Sequence, residues 1–291
     1  MKILNFGSLN IDHVYSVPHI IRPGETLSSS AVKDFAGGKG ANQSVALAKA
    51  GAEVWLSGKV GEDGQWLLDK MISYGVKTEF IRTCDGPTGH TIIQVTPEAE
   101  NSIILFGGGN QNITEKDIEE TFSHFDKGDY IVLQNEINFM PLIIKTARDR
   151  GMKICLNPAP FEQTINEWPL ESVDILIVNE LEAEGLAGQK GSFEKILKIL
   201  TDKFKKAEIL MTVGESGAYY GKNEKRIHVP ITRTKAVDTT AAGDTFLGYY
   251  LASRINGFDV RTSMERASRA SSLTVSRPGA MDSIPVVSEI E

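Results

Sequence analysis

Short apolar runs return again and again along this chain with helical stretches between them, and that rhythm constrains the fold more than any other feature. "KILNFGS", "AEVWLSGKVG", "DYIVLQNE", "MKICLNPAP", "DILIVNE" and "AEILMTVG" read as strands, and Ala41 to Ala50, Gln65 to Tyr74 and Phe193 to Phe204 carry helical spacing. The alternation predicts βαβ crossovers and a mostly parallel central sheet covered on both faces, a three-layer α/β/α arrangement. Two segments, about 13–35 and 88–106, break the rhythm; in the second, "TIIQVTPEAENSIILF" reads as a hairpin around a polar turn. They are expected to form a small β-sheet lid over the edge where the main strands end, because ligands of open α/β sheets bind beyond the carboxyl ends of the strands. A single domain over residues 1–291 is expected.

With 291 residues, 41% of them hydrophobic, a large core is within reach. A net charge of −7 provides no global positive field for nucleic acid or anionic lipid, so any anionic ligand must be held locally. The two cysteines, Cys84 and Cys155, lie far apart without a CxxC, which points to a reducing compartment and structural thiols. No charged-then-apolar leader opens the chain and no apolar run approaches the roughly 20 residues of a membrane span, so a soluble cytoplasmic protein is expected.

Chemistry concentrates at two glycine-containing sites. In "DTTAAGDTF" (238–246) the following "TFLGYYLASRI" repeats apolar residues at helical spacing, which places Asp244 at or near a helix N-terminus. Unpaired N–H groups there, approached closely because Ala241, Ala242 and Gly243 are small, could form an anion hole, and Asp244 could take the proton of an attacking hydroxyl. An aspartate before a helix also serves simply as a cap, and both readings stand at this point. The second site, "FAGGKGANQSVALAKAG", sets Gly37, Gly38 and Gly40 before a helix closed by Gly51. Its backbone, Lys39 and Asn42 suit a polyhydroxylated ligand, as do Asn10 and Asp12 just past the first strand; a purely structural turn is the alternative. Neither a Walker A loop nor GxGxxG occurs, which disfavours a nicotinamide-dependent oxidoreductase. The five histidines show no metal-ligand spacing.

Taken in order, "GSLNID", "GGKGAN", "NPAP", "NELEAE", "TVGESG", "DTTAAGDTF" and "SRPGAMDS" resemble the motifs of the ribokinase-like, or PfkB, sugar kinases over nearly the whole chain. The resemblance implies an ATP-dependent kinase acting on a primary hydroxyl, D-ribose being the first expectation and fructose, 2-keto-3-deoxygluconate, another pentose or a nucleoside the alternatives. It implies that Asp244 is the base and that the backbone from Ala241 to Gly243 is the anion hole. Asn10, Asp12, Gly38, Lys39, Asn42 and Glu136 match the family's sugar-binding positions. Asn179 and Glu182 match its N-x-x-E, which arranges Mg²⁺, water and phosphate; Thr212, Gly214 and Gly217, with Asn179, match its nucleotide site. Asp238, Thr240, Thr274, Arg277, Gly279 and Ser283 match a loop that binds a monovalent cation, mainly through carbonyl oxygens, so K⁺ activation is expected. The lid departs from the family at His90 and Thr91 in "PTGHTII" and at "LFGGGNQ", positions that would bear on acceptor choice. A homodimer through the lids is expected, with no nucleic-acid or membrane partner. A sugar-binding regulator without catalysis is the rival from a different class.

Overall fold

The computed structural model describes residues 1–98 and 100–291. The main sheet is built from β1 (Ile3–Phe6), β4 (Val54–Val60), β5 (Lys77–Thr83), β8 (Tyr130–Leu133), β9 (Lys153–Leu156), β10 (Ile175–Asn179), β11 (Glu208–Thr212), β12 (Ala218–Lys222) and β13 (Lys225–Val229). Their order is β13-β12-β11-β10-β9-β8-β1-β4-β5, parallel from β5 to β11 with an antiparallel edge at β12 and β13. All six predicted strands are present in it. The lid is a second sheet ordered β3-β2-β6-β7, from β2 (Asn10–Ser16), β3 (Ala31–Gly37), β6 (Gly89–Val95) and β7 (Asn101–Phe106). β6 and β7 are the arms of the predicted hairpin, and Ala99, in its turn, lies outside the described residues. One boundary is corrected: β2 starts at Asn10, so Asn10 and Asp12 belong to the lid sheet itself rather than to a connection leading into it.

Among the described residues, eight α-helices cover the main sheet: α1 (Lys39–Lys49), α2 (Gln65–Ser73), α3 (Glu115–Phe122), α4 (Met140–Asp149), α5 (Glu180–Ala187), α6 (Phe193–Lys203), α7 (Ala242–Ile255) and α8 (Val260–Val275). Alternate residues of each strand feed opposite cores. Ile3, Val54, Leu56, Val132 and Ile177 join Val45, Leu67, Leu247 and Met264 on the α1, α2, α7, α8 side. Leu4, Phe6, Ile131, Leu133 and Val178 join Phe122, Ile143, Leu186 and Leu200 on the other. In β1 the alternation puts one polar residue, Asn5, on the α1 side, where it is fully buried. α1 begins at Lys39, two residues ahead of the predicted start, so Gly40 lies in its first turn. It is buried continuously from Gly40 to Leu47, because it packs against both the sheet and α7.

The contact with α7 depends on Gly248: a Cβ there would sit 2.4 Å from Ala46 Cβ and 2.8 Å from the Leu47 backbone nitrogen. Gly248→Val is expected to destabilise the protein by about 1–3 kcal/mol through overpacking, read as a lowered melting temperature. An unchanged melting temperature would show that α1 and α7 can separate freely.

Candidate active site

Strand ends bring the polar residues together. β1 runs on into Ser8, β8 into Gln134 and Glu136, and β9 into Asn157, while β10 and β11 end at Asn179 and Thr212 in register with one another. All of these are at the carboxyl edge of the parallel sheet. α7 approaches this edge with its N-terminus. Its cap, Ala241, takes a left-handed backbone (φ 60°, ψ 9°), which turns the chain sharply into the helix. The N–H of Ala242 bonds Thr239 O (3.3 Å) and that of Thr245 bonds Ala241 O (2.8 Å); those of Gly243 and Asp244 have no acceptor among the described residues. Gly243 is exposed, and a Cβ added to it would meet nothing within 4 Å. Two free donors, an open approach and the positive end of a 14-residue helix make a site for an anion.

Asp244 itself is 5% exposed and is not a cap. Its Oδ2 accepts from Asn42 Nδ2 (3.1 Å) and its Oδ1 from Gln43 Nε2 (2.9 Å). Each oxygen keeps a further lone pair for a proton donor. Lys39 is held above the ordinary lysine range, foremost by the charge of Asp244, against burial, with help from Glu136 and Glu182. Burial pushes Glu136 up, opposed by Lys39; its Oε2 accepts from the Lys39 backbone N–H (2.9 Å) and from Ser8 Oγ. Glu136, which read alone is a strand-end acid facing water, is thus tied to the start of α1.

The candidate sugar-binding residues converge on one side of Asp244. Gly38 (φ 92°) lies against Leu9 and Asn10, where a Cβ would be 2.9 Å from the Asn10 nitrogen, so this glycine is required by the backbone itself. Asp12 is pushed up by burial, opposed foremost by a hydrogen bond from Thr91 Oγ1 (2.6 Å), its direct neighbour across the β2–β6 pair. His90, one residue earlier, packs its ring against His13 and Phe106 instead. The two lid departures therefore act in different places, and only Thr91 touches a candidate ligand residue. The glycines of "LFGGGNQ" also have a reason: a Cβ on Gly108 (φ 50°) would lie 2.6 Å from the Gly89 nitrogen. This tight packing delivers Asn110, whose Nδ2 donates to Asn10 Oδ1 (2.7 Å). A cleft of about 230 Å³ opens here, lined by Asn10, Asn110, Gln111, Asn135 and Glu136 and roofed by Leu105 of the lid. Asn42 Oδ1 is buried without a partner among the described residues, an acceptor suited to a hydroxyl.

On the other side of Asp244, Asn179 and Glu182 form a reciprocal capping box at the start of α5. Glu182 is buried, which pushes its carboxyl up. Oε1 accepts from Asn179 Nδ2 (2.8 Å), and Oε2 from Asn179 N (3.0 Å) and Asn157 Nδ2 (3.3 Å). Thr212 Oγ1 donates to Val178 O (3.3 Å). Of the two turn glycines, Gly217 (φ 88°) is demanded by packing, since a Cβ would be 2.2 Å from Val229 O, whereas Gly214 (φ 45°) faces open space apart from Glu180 at 3.8 Å.

A model of the pfkB family carbohydrate kinases matches residues 1–287. The chain belongs to that family. As a PfkB carbohydrate kinase it is a phosphotransferase with an alcohol group as acceptor. Ribokinase from Staphylococcus aureus (strain COL) is 35% identical over 300 residues, covering 99% of this chain and 98% of the relative. Deoxyribokinase from Salmonella typhimurium is 31% identical, covering 99% and 97%. Ribokinase from Arabidopsis thaliana, solved with ribose and ATP, superposes with a TM-score of 0.88 at 29% identity over 99% of this chain and 97% of that one.

The donor set of this PfkB kinase suits a hard divalent ion held through water. Both Glu182 oxygens already accept hydrogen bonds, no group of three or more His, Cys, Asp or Glu clusters as a metal site among the described residues, and Mg²⁺ keeps most of its water when bound by phosphates and a carboxylate. In the late loop, Asp238 is partly desolvated, yet hydrogen bonds from Thr240 N (2.9 Å), Thr240 Oγ1 (2.6 Å) and Gly279 N (3.0 Å) hold its carboxyl below the usual range. The hydroxyls of Thr274 and Ser283 turn inward, the first to Ala270 O (3.1 Å) and the second to Ala280 O (2.7 Å), and Arg277 pairs with Glu289 at 2.6 Å. Each of these side chains is thus engaged in a hydrogen bond or an ion pair of its own. Ser8, Gln43, Asn110, Gln134 and Asn157 were missed in the sequence. Their textual signals were polar residues at strand ends, at the start of an otherwise apolar helix and, for Asn110, the glycine-rich "LFGGGNQ".

Proposed function

We propose that the chain is an ATP-dependent ribokinase, converting D-ribose to D-ribose 5-phosphate, and that residues 1–291 act as one kinase domain. The observation that carries the reading is the pairing of a buried, doubly hydrogen-bonded Asp244 with two free N–H donors, at Gly243 and Asp244, in the same first turn of α7. Asn10, Asp12, Asn42, Lys39 and Glu136 would hold the sugar and Asp244 would accept the proton of its primary hydroxyl. The γ-phosphoryl group would be received against the N-terminus of α7, its growing charge met by the Gly243 and Asp244 N–H groups and by Lys39. Mg²⁺, bound to the nucleotide phosphates, would neutralise charge there, with Asn179 and Glu182 orienting its waters; Thr212, Gly214 and Gly217 would lie under the nucleotide. K⁺ would sit among the carbonyls of the 238–240 and 274–283 loops. Phosphoryl transfer needs positioning and electrostatics more than covalent help, and the site offers both.

ADP release should be measured with Mg-ATP and K⁺ against ribose, 2-deoxyribose, other pentoses, fructose, 2-keto-3-deoxygluconate and nucleosides. The highest kcat/KM is expected with ribose; a higher value with another acceptor would replace ribose and keep the kinase, and no turnover with any would favour a sugar-binding regulator. Thr91→Val, which removes only the hydroxyl bonded to Asp12, is expected to raise KM for ribose about 5- to 10-fold with kcat near wild type, the effect of about 1 kcal/mol from one hydrogen bond. An unchanged KM would make Thr91 neutral variation.

The lid exposes Val32, Ile103, Ile104, Leu105 and Phe106 and has open edges at β3 and β7, which supports a homodimer that covers one lid with another. Sedimentation should give twice the chain mass, and a monomer at micromolar concentration would refute the dimer. Free thiols at Cys84 and Cys155 support a cytoplasmic location, and among the described residues no helix is long and apolar enough to cross a membrane.

A further inference from the structure

We propose that Gln43 is a positioning residue that locks Asp244 as a proton acceptor and ties it to the Glu182 side of the site; this rests on the reading of Asp244 as the base. Gln43 is fully buried beside Asn42 in α1 and uses every hydrogen-bonding group it has. Its Nε2 donates one hydrogen to Asp244 Oδ1 (2.9 Å) and the other to Asn157 Oδ1 (3.2 Å), while its Oε1 accepts from Gln134 Nε2 (2.7 Å).

The polarity of this chain of amides is dictated from both ends by groups that can only accept. At one end Asn5 Nδ2 bonds the backbone carbonyl of Gly40 (2.8 Å), so Asn5 must turn its Oδ1 to Gln134, which donates to it (3.0 Å) and to Gln43. At the other end Asn157 Nδ2 bonds the backbone carbonyl of Ile177 (3.0 Å), so Asn157 must turn its Oδ1 to Gln43. Both anchors give Gln43 the same orientation, with its NH₂ toward Asp244. A carboxylate that accepts from two amide donors, Gln43 and Asn42, one on each oxygen, is held in one rotation. A flipped Gln43 would set its oxygen against the Asp244 and Asn157 oxygens and its NH₂ against the Gln134 NH₂.

The same residue also spans the two halves of the site. Asn157 Nδ2 reaches Glu182 Oε2 (3.3 Å), so Gln43 fixes the separation between the proposed base and the acid that orients the metal waters. Rows of buried amides of this kind transmit orientation because every member has one allowed direction.

The test is Gln43→Met, which keeps the volume and removes the donors, assayed beside Gln134→Met and Asp244→Asn. For Gln43→Met, kcat is expected to fall about 10- to 100-fold while KM for sugar and for ATP stays within about threefold. Gln134→Met, which touches neither Asp244 nor Glu182, is expected to show the same pattern at about 3- to 10-fold, and it decides the matter should Gln43→Met fail to fold. A kcat within twofold of wild type in either folded variant, or a loss confined to KM, would overturn the role of Gln43. If Asp244→Asn kept its turnover, the assignment of the base would fall instead, so the two failures are distinguishable.

Discussion

Asp244→Asn is expected to lower kcat by about 10²–10⁴-fold, the range for loss of a general base, with sugar affinity changed by less than about threefold. The geometry makes the comparison informative. Both Asp244 oxygens accept from amides, so an asparagine must set its own NH₂ against either Asn42 Nδ2 or Gln43 Nε2. A melting temperature lower by a few degrees is therefore expected alongside the kinetic loss, because one donor pair is left unsatisfied in a buried place. Sugar affinity measured by calorimetry separates the effects: a variant that binds ribose normally but does not turn over has lost the base. Near wild-type kcat would show that Asp244 does not take the proton.

Gly243→Ala is expected to do the opposite to stability and nearly the same to rate. The residue is in the first turn of α7, its added Cβ would touch nothing, and alanine is the better helix former by about 0.5–1 kcal/mol, so the fold should be unchanged or slightly stabilised. The methyl group would nonetheless occupy the space over the two free N–H groups, where the proposed reading places the transferring phosphoryl group. Loss of one donor to a developing oxyanion costs about 10²–10³ in kcat elsewhere, and a fall of that size is expected here with KM for ribose little changed. Full activity in a folded Gly243→Ala protein would move the anion site away from the N-terminus of α7.

Much of the fold was legible because its signals are local. A strand buried on both faces reads as a nearly continuous apolar run, as Ile175 to Val178 does within "DILIVNE", and a hairpin must carry β-rich arms, as β6 and β7 do. Asp244 at a helix start and the small residues before it were legible for the same reason. The sequence could not show that Asn10 and Asp12 ride on the lid sheet, because the strand begins directly after "GSL" without a turn signal. Nor could it separate His90 from Thr91, adjacent letters that alternation sends to different neighbours.

By itself, then, the sequence determined the layered α/β architecture, the motif order that marks a sugar kinase, and which helix start carries the acid. Only the tertiary structure decided what surrounds that acid. Gln43, Gln134, Asn157 and Asn5 are separated by up to 152 residues' worth of chain between Asn5 and Asn157, yet meet in one hydrogen-bonded row. Their partners are set by which strand ends lie side by side, and by the close approach of α7 to α1 at Gly248. Hydrogen bonds between buried side chains act only within about 3 Å, so their partners depend on packing and leave no periodic trace in the text.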